Sequence, residues 1–340
     1  MPDMDSDTLT SLLRSKKTQD RIRAAESFDT ADATHVPLVL EVLSDSTHYV
    51  AAIAARKLAA DPPEGIERQI IKAYRERDAN GPANDPGCHI RTHLALTFGK
   101  LHVHPAIDDL KRGIKLRQWE YVGGVRTDTA VGLRGNCALA LSQLAPVDAA
   151  RDIAVLLYDG AGDPLDRTLE ARKAAARALG RLGDQAALVA LTLRLNYPDG
   201  ENPEVLAECM DAVVETRDER GMELLKPLLR HDDAHLAAQA ALAIARTGLD
   251  EAVPLLVDVC DRLRGDLLRA VALSLSAMRT DASRKALREQ ATSVREEARM
   301  AAIEALSTAP DADSRAVLEN LAATDTSPRV REAARRSLGG

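Results

Sequence analysis

The 340-residue chain is 45% hydrophobic but only 2% aromatic, so its core has to be built from Ala, Leu, Val and Ile, a composition of helices rather than strands. A net charge of −7 excludes a global attraction to phosphate backbones and makes any nucleic-acid site local. No apolar run reaches the ~18 residues of a membrane span, and MPDMDSDTLTSLL lacks the basic-then-apolar order of a secretory signal, so the expected location is cytoplasmic, with no membrane partner.

From the N-terminus onward one amphipathic pattern recurs. It begins at Ile22 (IRAAESF), Val50 (VAAIAARKLAA), Ile90 (IRTHLALTFGKL), Leu133 (LRGNCALALSQL) and Ala171 (ARKAAARALGRLGD). It continues at Leu206, Leu236, Leu267, Ala298 and Val330, with separations of 28, 40, 43, 38, 35, 30, 31, 31 and 32 residues. A shorter apolar helix precedes each copy, as in Pro37 to Leu43, Lys226 to Leu229 and Pro254 to Val259. Neither helix can bury its apolar stripe alone, so neighbouring units must stack. The prediction is an all-α, right-handed α-solenoid of about ten antiparallel helix pairs, second helices lining a concave face. It forms a single domain over 1–340: regular repeats 1–77, central repeats with insertions 78–218, and regular repeats 219–340. Cys88, Cys137, Cys209 and Cys260 fall in these helical patterns, as reduced and mostly buried thiols.

The extra length of the central repeats falls between first and second helices, at Asp78 to Gly87, Leu116 to Ala130, Asp159 to Arg167 and Asn196 to Pro203. These segments should project from one edge, where insertions leave a stacked core undisturbed and binding loops are often placed. YVGGV and DGAGD lack a preceding strand and a lysine, and are read as loops. Trp119 is the only tryptophan; beside Tyr121 and flanked by Gly123 and Gly124, it is a candidate anchor for a partner, or else a plug between two repeats. Residues 85–182 hold 14 Lys plus Arg against 11 Asp plus Glu, which adds Arg117, Arg126, Arg177 and Arg181 to the candidate binding set. An anionic partner is the sharper reading of those charges, a solvated helix face the plainer one. His89 and His93 share a helical face next to Cys88, but that spacing supplies only two metal ligands, so no metal is expected unless another repeat adds a third.

In six units an acidic residue stands five positions before the anchor: Asp45, Asp85, Asp128, Asp166, Glu201 and Asp325. In four of them an arginine follows six later, giving Asp85 with Arg91, Asp128 with Arg134, Asp166 with Arg172, and Asp325 with Arg331. Such an acid can accept from N–H groups at the start of the second helix while pairing with an arginine. The pattern resembles the HEAT-repeat family and its bilin-lyase-like branch, in which a turn Asp and a helix Arg form ladders between adjacent repeats. The resemblance implies a structural role for these residues. It also implies a broken ladder at Leu236, Leu267 and Ala298, where His231, Arg262 and Ser293 hold the acid's place. Among enzymes of this kind, deoxyhypusine hydroxylases hold iron with His-Glu dipeptides, and this sequence contains none. DNA glycosylases of this type use a basic, aromatic-bearing groove, which this composition argues against. Phosphate-binding glycine loops, nucleophile elbows and CxxC pairs are absent. The expected function is therefore a cofactor-free, non-catalytic scaffold for another protein, using the concave face and the central edge loops. Nucleic-acid binding through the central basic stretch is the alternative, and a bilin-lyase-like or metal-dependent, oxidoreductase-like enzyme a more distant one.

Overall fold

The computed structural model describes residues 5–160, 167–198, 200–217 and 220–339. The chain divides into two compact units, residues 1–205 and 206–340, each an α-solenoid of helix pairs stacked in chain order.

The first unit runs α1 (Ser6–Leu13), α2 (Thr18–Glu26), α3 (Val36–Val42), α4 (His48–Ala60), α5 (Glu67–Asp78), the one-turn α6 (Gly81–Asn84), α7 (His89–Lys100) and α8 (Ile107–Gly113). A hairpin, β1 (Trp119–Val122) and β2 (Val125–Asp128), follows. Then come α9 (Val131–Leu144), α10 (Ala149–Ala154), α11 (Leu169–Leu182) and α12 (Gln185–Asn196), and α13 (Pro203–Glu215) crosses into the second unit. All four insertions lie between a first and a second helix. The second helices α4, α7, α9 and α11 pack on one another in succession. They bury Val50, Ile53, Leu58, Ile90, Leu94, Phe98, Leu133, Leu141 and Leu179 among a majority of alanines. At about 1.5–3 kcal/mol per fully buried large apolar side chain, this shared face is what holds the stack together. Two glycines set how closely the helices approach: a Cβ on Gly99 would lie 3.0 Å from the Ala140 Cα, and one on Gly135 would lie 3.1 Å from the Ala174 Cβ.

Between the pairs run rungs of arginine. Arg91, without exposed surface, donates Nε to Asp85 (3.1 Å), Nη1 to Asp78 (2.7 Å) and Nη2 to Gln118 of the following repeat (2.6 Å). Asp85 also accepts from the N–H groups of Ile90 and Arg91. Arg134, equally buried, pairs with Asp128 of its own repeat (2.7 Å) and Asp159 of the next (2.8 Å). Arg172 reaches Glu201 (3.2 Å) and the Asp159 carbonyl (3.0 Å); Asp166, its expected partner, lies outside the described residues. An unexpected rung joins Arg21 to Asp45 (2.9 Å), and Arg77 donates to the carbonyls of Leu43 and Asp45.

The second unit continues with α14 (Gly221–Leu225), α15 (Ala234–Ala245), α16 (Val253–Arg262), α17 (Gly265–Met278), α18 (Asp281–Gln290), α19 (Glu296–Ser307), α20 (Ala312–Thr324) and α21 (Pro328–Gly339). With the first unit this makes ten first-and-second-helix pairs among the described residues, and α15, α17, α19 and α21 stack in turn. The ladder does not break as expected. Arg262 donates to the Leu229 carbonyl (2.6 Å), and Arg295 donates to those of Cys260 (3.1 Å), Asp261 (2.7 Å) and Leu263 (2.7 Å). At Ala298 the rung is whole: Arg299 binds Asp325 of the next repeat (2.8 Å) and takes the Ser293 carbonyl (2.8 Å) where other units place an acid. A guanidinium needs acceptors, and carbonyl oxygens at a turn satisfy it when no carboxylate is present. Arg331 likewise meets the carbonyl of Asp325 (2.6 Å) and not its carboxylate.

Candidate binding site at the inserted hairpin

Leu116 to Ala130, expected as a loop, contains the two-stranded antiparallel hairpin. Gly123 (φ +58°) and Gly124 (φ +83°) supply the two positive-φ positions that a two-residue type I′ turn demands. Trp119 pairs with Asp128 and Tyr121 with Arg126, so the period of two places these four side chains on one face. The Arg126 guanidinium lies 4.8 Å from the centre of the Trp119 ring, within cation–π distance. The tip stands open to solvent, with Trp119 50% exposed, Tyr121 80%, Val122 56% and Val125 57%. Trp119 therefore does not plug the stack.

The base of the hairpin is stitched to the preceding repeat. Gln118, buried, accepts from Arg91 and donates to the Asp85 carbonyl (3.0 Å). Glu120 accepts from the Gly87 N–H (2.9 Å), Gln118 Nε2 (3.1 Å) and the Thr129 hydroxyl. Burial pushes the Glu120 carboxyl up, but the bonds from Thr129, Gln118 and Gly87 and the nearby His89 ring outweigh it and hold the group below the usual glutamate value.

Beside this base lies a cleft of about 540 Å³. Helix α4 contributes His48, Tyr49 and Arg56; α7 contributes His89 and His93; the hairpin contributes Glu120, Tyr121 and Val122. Burial, then Arg56, then His89 hold the His93 imidazole below the usual histidine value. His89 lies over Gly87, where a Cβ would meet the His89 Nε2 at 2.5 Å. Among the described residues no group of three or more His, Cys, Asp or Glu is arranged to hold a metal ion, so His89 and His93 gain no third ligand. The four cysteines are buried and in no disulfide, and burial pushes the Cys88, Cys137 and Cys260 thiols up to about 12, far from nucleophilic use.

The central basic residues are mostly spent on carboxylates. Arg117 pairs with Asp159 and Asp128, Lys111 and Lys115 share Asp152, Arg112 pairs with Asp109, and Lys173 pairs with Glu170 and Glu204. Lys100 donates to the carbonyls of Ala59 and Ala60 at the end of α4. Arg117 is thus a partner of a rung acid at the foot of the hairpin, while Arg177 and Arg181 are exposed on α11. Of the sequence candidates, Trp119, Tyr121 and Arg126 come together on one hairpin face. His48, Tyr49, Arg56 and Glu120 were not singled out from the sequence, because only stacking brings α4, α7 and the hairpin to one place.

A HEAT-repeat family model matches residues 198–277 and 263–339. No curated protein matches the chain. A mutant of Kap121p is similar over 97% of this chain and 40% of its own, at 15% identity and a TM-score of 0.52, a likeness of fold alone. An engineered protein is similar over 99% of this chain and 98% of its own, at 20% identity and a TM-score of 0.41. The complex of CpcE and CpcF of phycocyanin lyase from Nostoc sp. PCC7120 is similar over 82% and 97%, at 20% identity and a TM-score of 0.38. At those two scores the similarity carries no argument. No helix among the described residues is long and apolar enough to cross a membrane.

Proposed function

We propose that this chain, which carries HEAT repeats over residues 198–339, is a non-catalytic protein-binding scaffold that engages its partner through the hairpin of its central repeats. The observation that supports this is the pairing of a rigid base with an exposed aromatic tip. Gln118 and Glu120 fix the strands to the stack, while Trp119 and Tyr121 remain open beside Arg126. Tryptophan, tyrosine and arginine are the residues that dominate binding energy at interfaces, and a pre-ordered strand pair loses little entropy on docking. Arg177 and Arg181 of α11 are further contacts in this reading. Ion pairing within the central basic stretch argues against a phosphate backbone as partner, since little unspent charge is left to release counterions. Four buried thiols outside any disulfide support a reducing compartment, the cytoplasm.

The test is an affinity capture from source-organism lysate treated with nuclease, comparing the wild-type chain with the double variant Trp119→Ala, Tyr121→Ala. Gln118, Glu120 and Thr129 are retained, so the base of the hairpin keeps its bonds. The expected result is a protein partner that survives nuclease and is lost from the variant. Capture of nucleic acid only, or equal capture of the same protein by both chains, would overturn the reading.

A further inference from the structure

We propose that the cleft between α4, α7 and the hairpin receives an acidic peptide segment of the partner, its carboxylates meeting Arg56 and the three histidines. This rests on the scaffold reading and names the chemistry that site would recognise.

The charges lining the cleft point one way. Arg56, exposed on α4, makes no ion pair among the described residues, unlike most basic side chains of the central repeats. The one acidic side chain in the wall, Glu120, already accepts from three donors. Asp85, a further carboxylate whose charge reaches His93, is wholly buried and held by Arg91 and by the N–H groups of Ile90 and Arg91. A guanidinium without a partner is therefore left facing solvent beside His48, His89 and His93, each of which can offer an N–H to an anion. Between them lie apolar surfaces of Ala52, Ile53, Pro86 and Val122, flanked by Tyr49 (61% exposed) and Tyr121. A volume of about 540 Å³ suits a few side chains with acidic and apolar character. A nucleic-acid strand fits less well, because its flanking phosphates would meet a surface most of whose cations are already paired and a chain of charge −7.

His93 makes the docking sensitive to pH. The groups that face His93 are Arg56 and His48 from α4, His89 on its own helix with Asp85 beyond, and Glu120 and Tyr121 from the hairpin; Arg77 in turn approaches His48 Nδ1 at 3.4 Å. In the free protein, burial and the cation Arg56 keep the His93 proton off at neutral pH. A bound carboxylate reverses that balance, so binding takes up a proton and tightens as pH falls.

The experiment uses fluorescence anisotropy on the full chain with a labelled, end-blocked octapeptide of alternating Glu and Leu. A Lys-for-Glu counterpart and an oligothymidylate are the controls, at about pH 7.5 and about pH 5.5, either side of the ordinary histidine value. The expected results are binding of the acidic peptide alone, tighter at the lower pH. Arg56→Gln should weaken it about tenfold, Arg56→Lys should recover part of the loss, and His93→Gln should flatten the pH dependence. Arg56 is exposed, so its variants test the site without disturbing the core. No binding at about pH 5.5, equal binding of either control, or indifference to Arg56→Gln would overturn the proposal. Partner capture separates the two readings. If Arg56→Gln captures normally while the Trp119 and Tyr121 variant does not, the cleft fails and the scaffold stands. If neither variant alters capture, the scaffold reading itself fails.

Discussion

Arg134 in the first unit and Arg295 in the second do the same mechanical work with different acceptors. Arg134 is wholly buried between two carboxylates, Asp128 and Asp159, one from its own repeat and one from the next. Arg295 is only partly buried and reaches three backbone carbonyls at the end of α16, those of Cys260, Asp261 and Leu263. The lesson is that a repeat interface needs a multivalent donor at a turn, and that the acceptor can vary. What changes is the penalty for removing one partner. Two enclosed carboxylates stripped of Arg134 keep only the half-exposed Arg117 as a counter-charge, whereas carbonyls at a part-exposed turn can be taken over by water.

The comparison breaks most sharply at Arg134. Arg134→Ala should destabilise the first unit by about 3 kcal/mol, the low end of the range for breaking a buried ion pair, because Arg117 still faces both acids. It should also lower amide-exchange protection across α7, α9 and α11. Combining Arg134→Met with Asp128→Asn and Asp159→Asn should recover part of that loss, because no enclosed charge is then left unpaired and Arg117, which loses the same two acids, is exposed enough to turn to water. Arg295→Ala should cost about 1 kcal/mol, an ordinary hydrogen bond's worth. Equal losses from the two single variants would show that burial of the rung is irrelevant.

Close helix approach is a second contrast: among the described glycines, Gly99 and Gly135 sit between successive second helices, whereas Gly221 of the second unit packs at the start of the short α14 against Val213. Gly135→Val should destabilise by about 1–3 kcal/mol, because the added carbons meet the Ala174 Cβ and the backbone of α11. Urea unfolding followed by circular dichroism reads this; an unchanged midpoint would mean that the helices can part without loss.

The helical repeat was legible in the sequence because its period and its Asp and Arg spacings are both local. Asp85 with Arg91 and Asp128 with Arg134 lie one turn-to-helix step apart and meet as that spacing requires. Asp159 was not legible as the second acid of Arg134, since it stands well before the next anchor, Ala171, and only stacking delivers it. Nor was Ser293 recognisable as an acceptor, because the group used is its carbonyl, which every residue type has. The hairpin carries a readable signal. Two glycines between alternating Trp, Tyr and Val residues mark a type I′ turn even inside an otherwise helical chain. The cleft had none, as His48, Arg56 and His89 belong to different repeats.

Acid separates the two kinds of rung further, with the smallest expected effect. Burial pushes the Asp325 carboxyl up, but the Arg299 pair, the Ser327 N–H and the charges of Arg299 and Arg331 together hold it below the ordinary aspartate value. A carboxyl depressed on folding contributes stability that is fully present above its unfolded value, about 4, and that fades as pH falls through the lower folded value. The carbonyls that receive Arg295 do not titrate in this range, and its carboxylate neighbour in that rung, the half-exposed Glu297, stands at 3.9 Å, so the rung has little such dependence. Asp325→Asn should therefore cost about 1 kcal/mol at neutral pH, and the difference from wild type should shrink as pH drops toward about 3. Arg295→Ala should cost its amount with no Asp325-like fading over the same range. Urea midpoints of the three chains from neutral to acidic pH decide it. A constant gap between Asp325→Asn and wild type would show that the Arg299 rung draws its strength from geometry and not from the aspartate's charge.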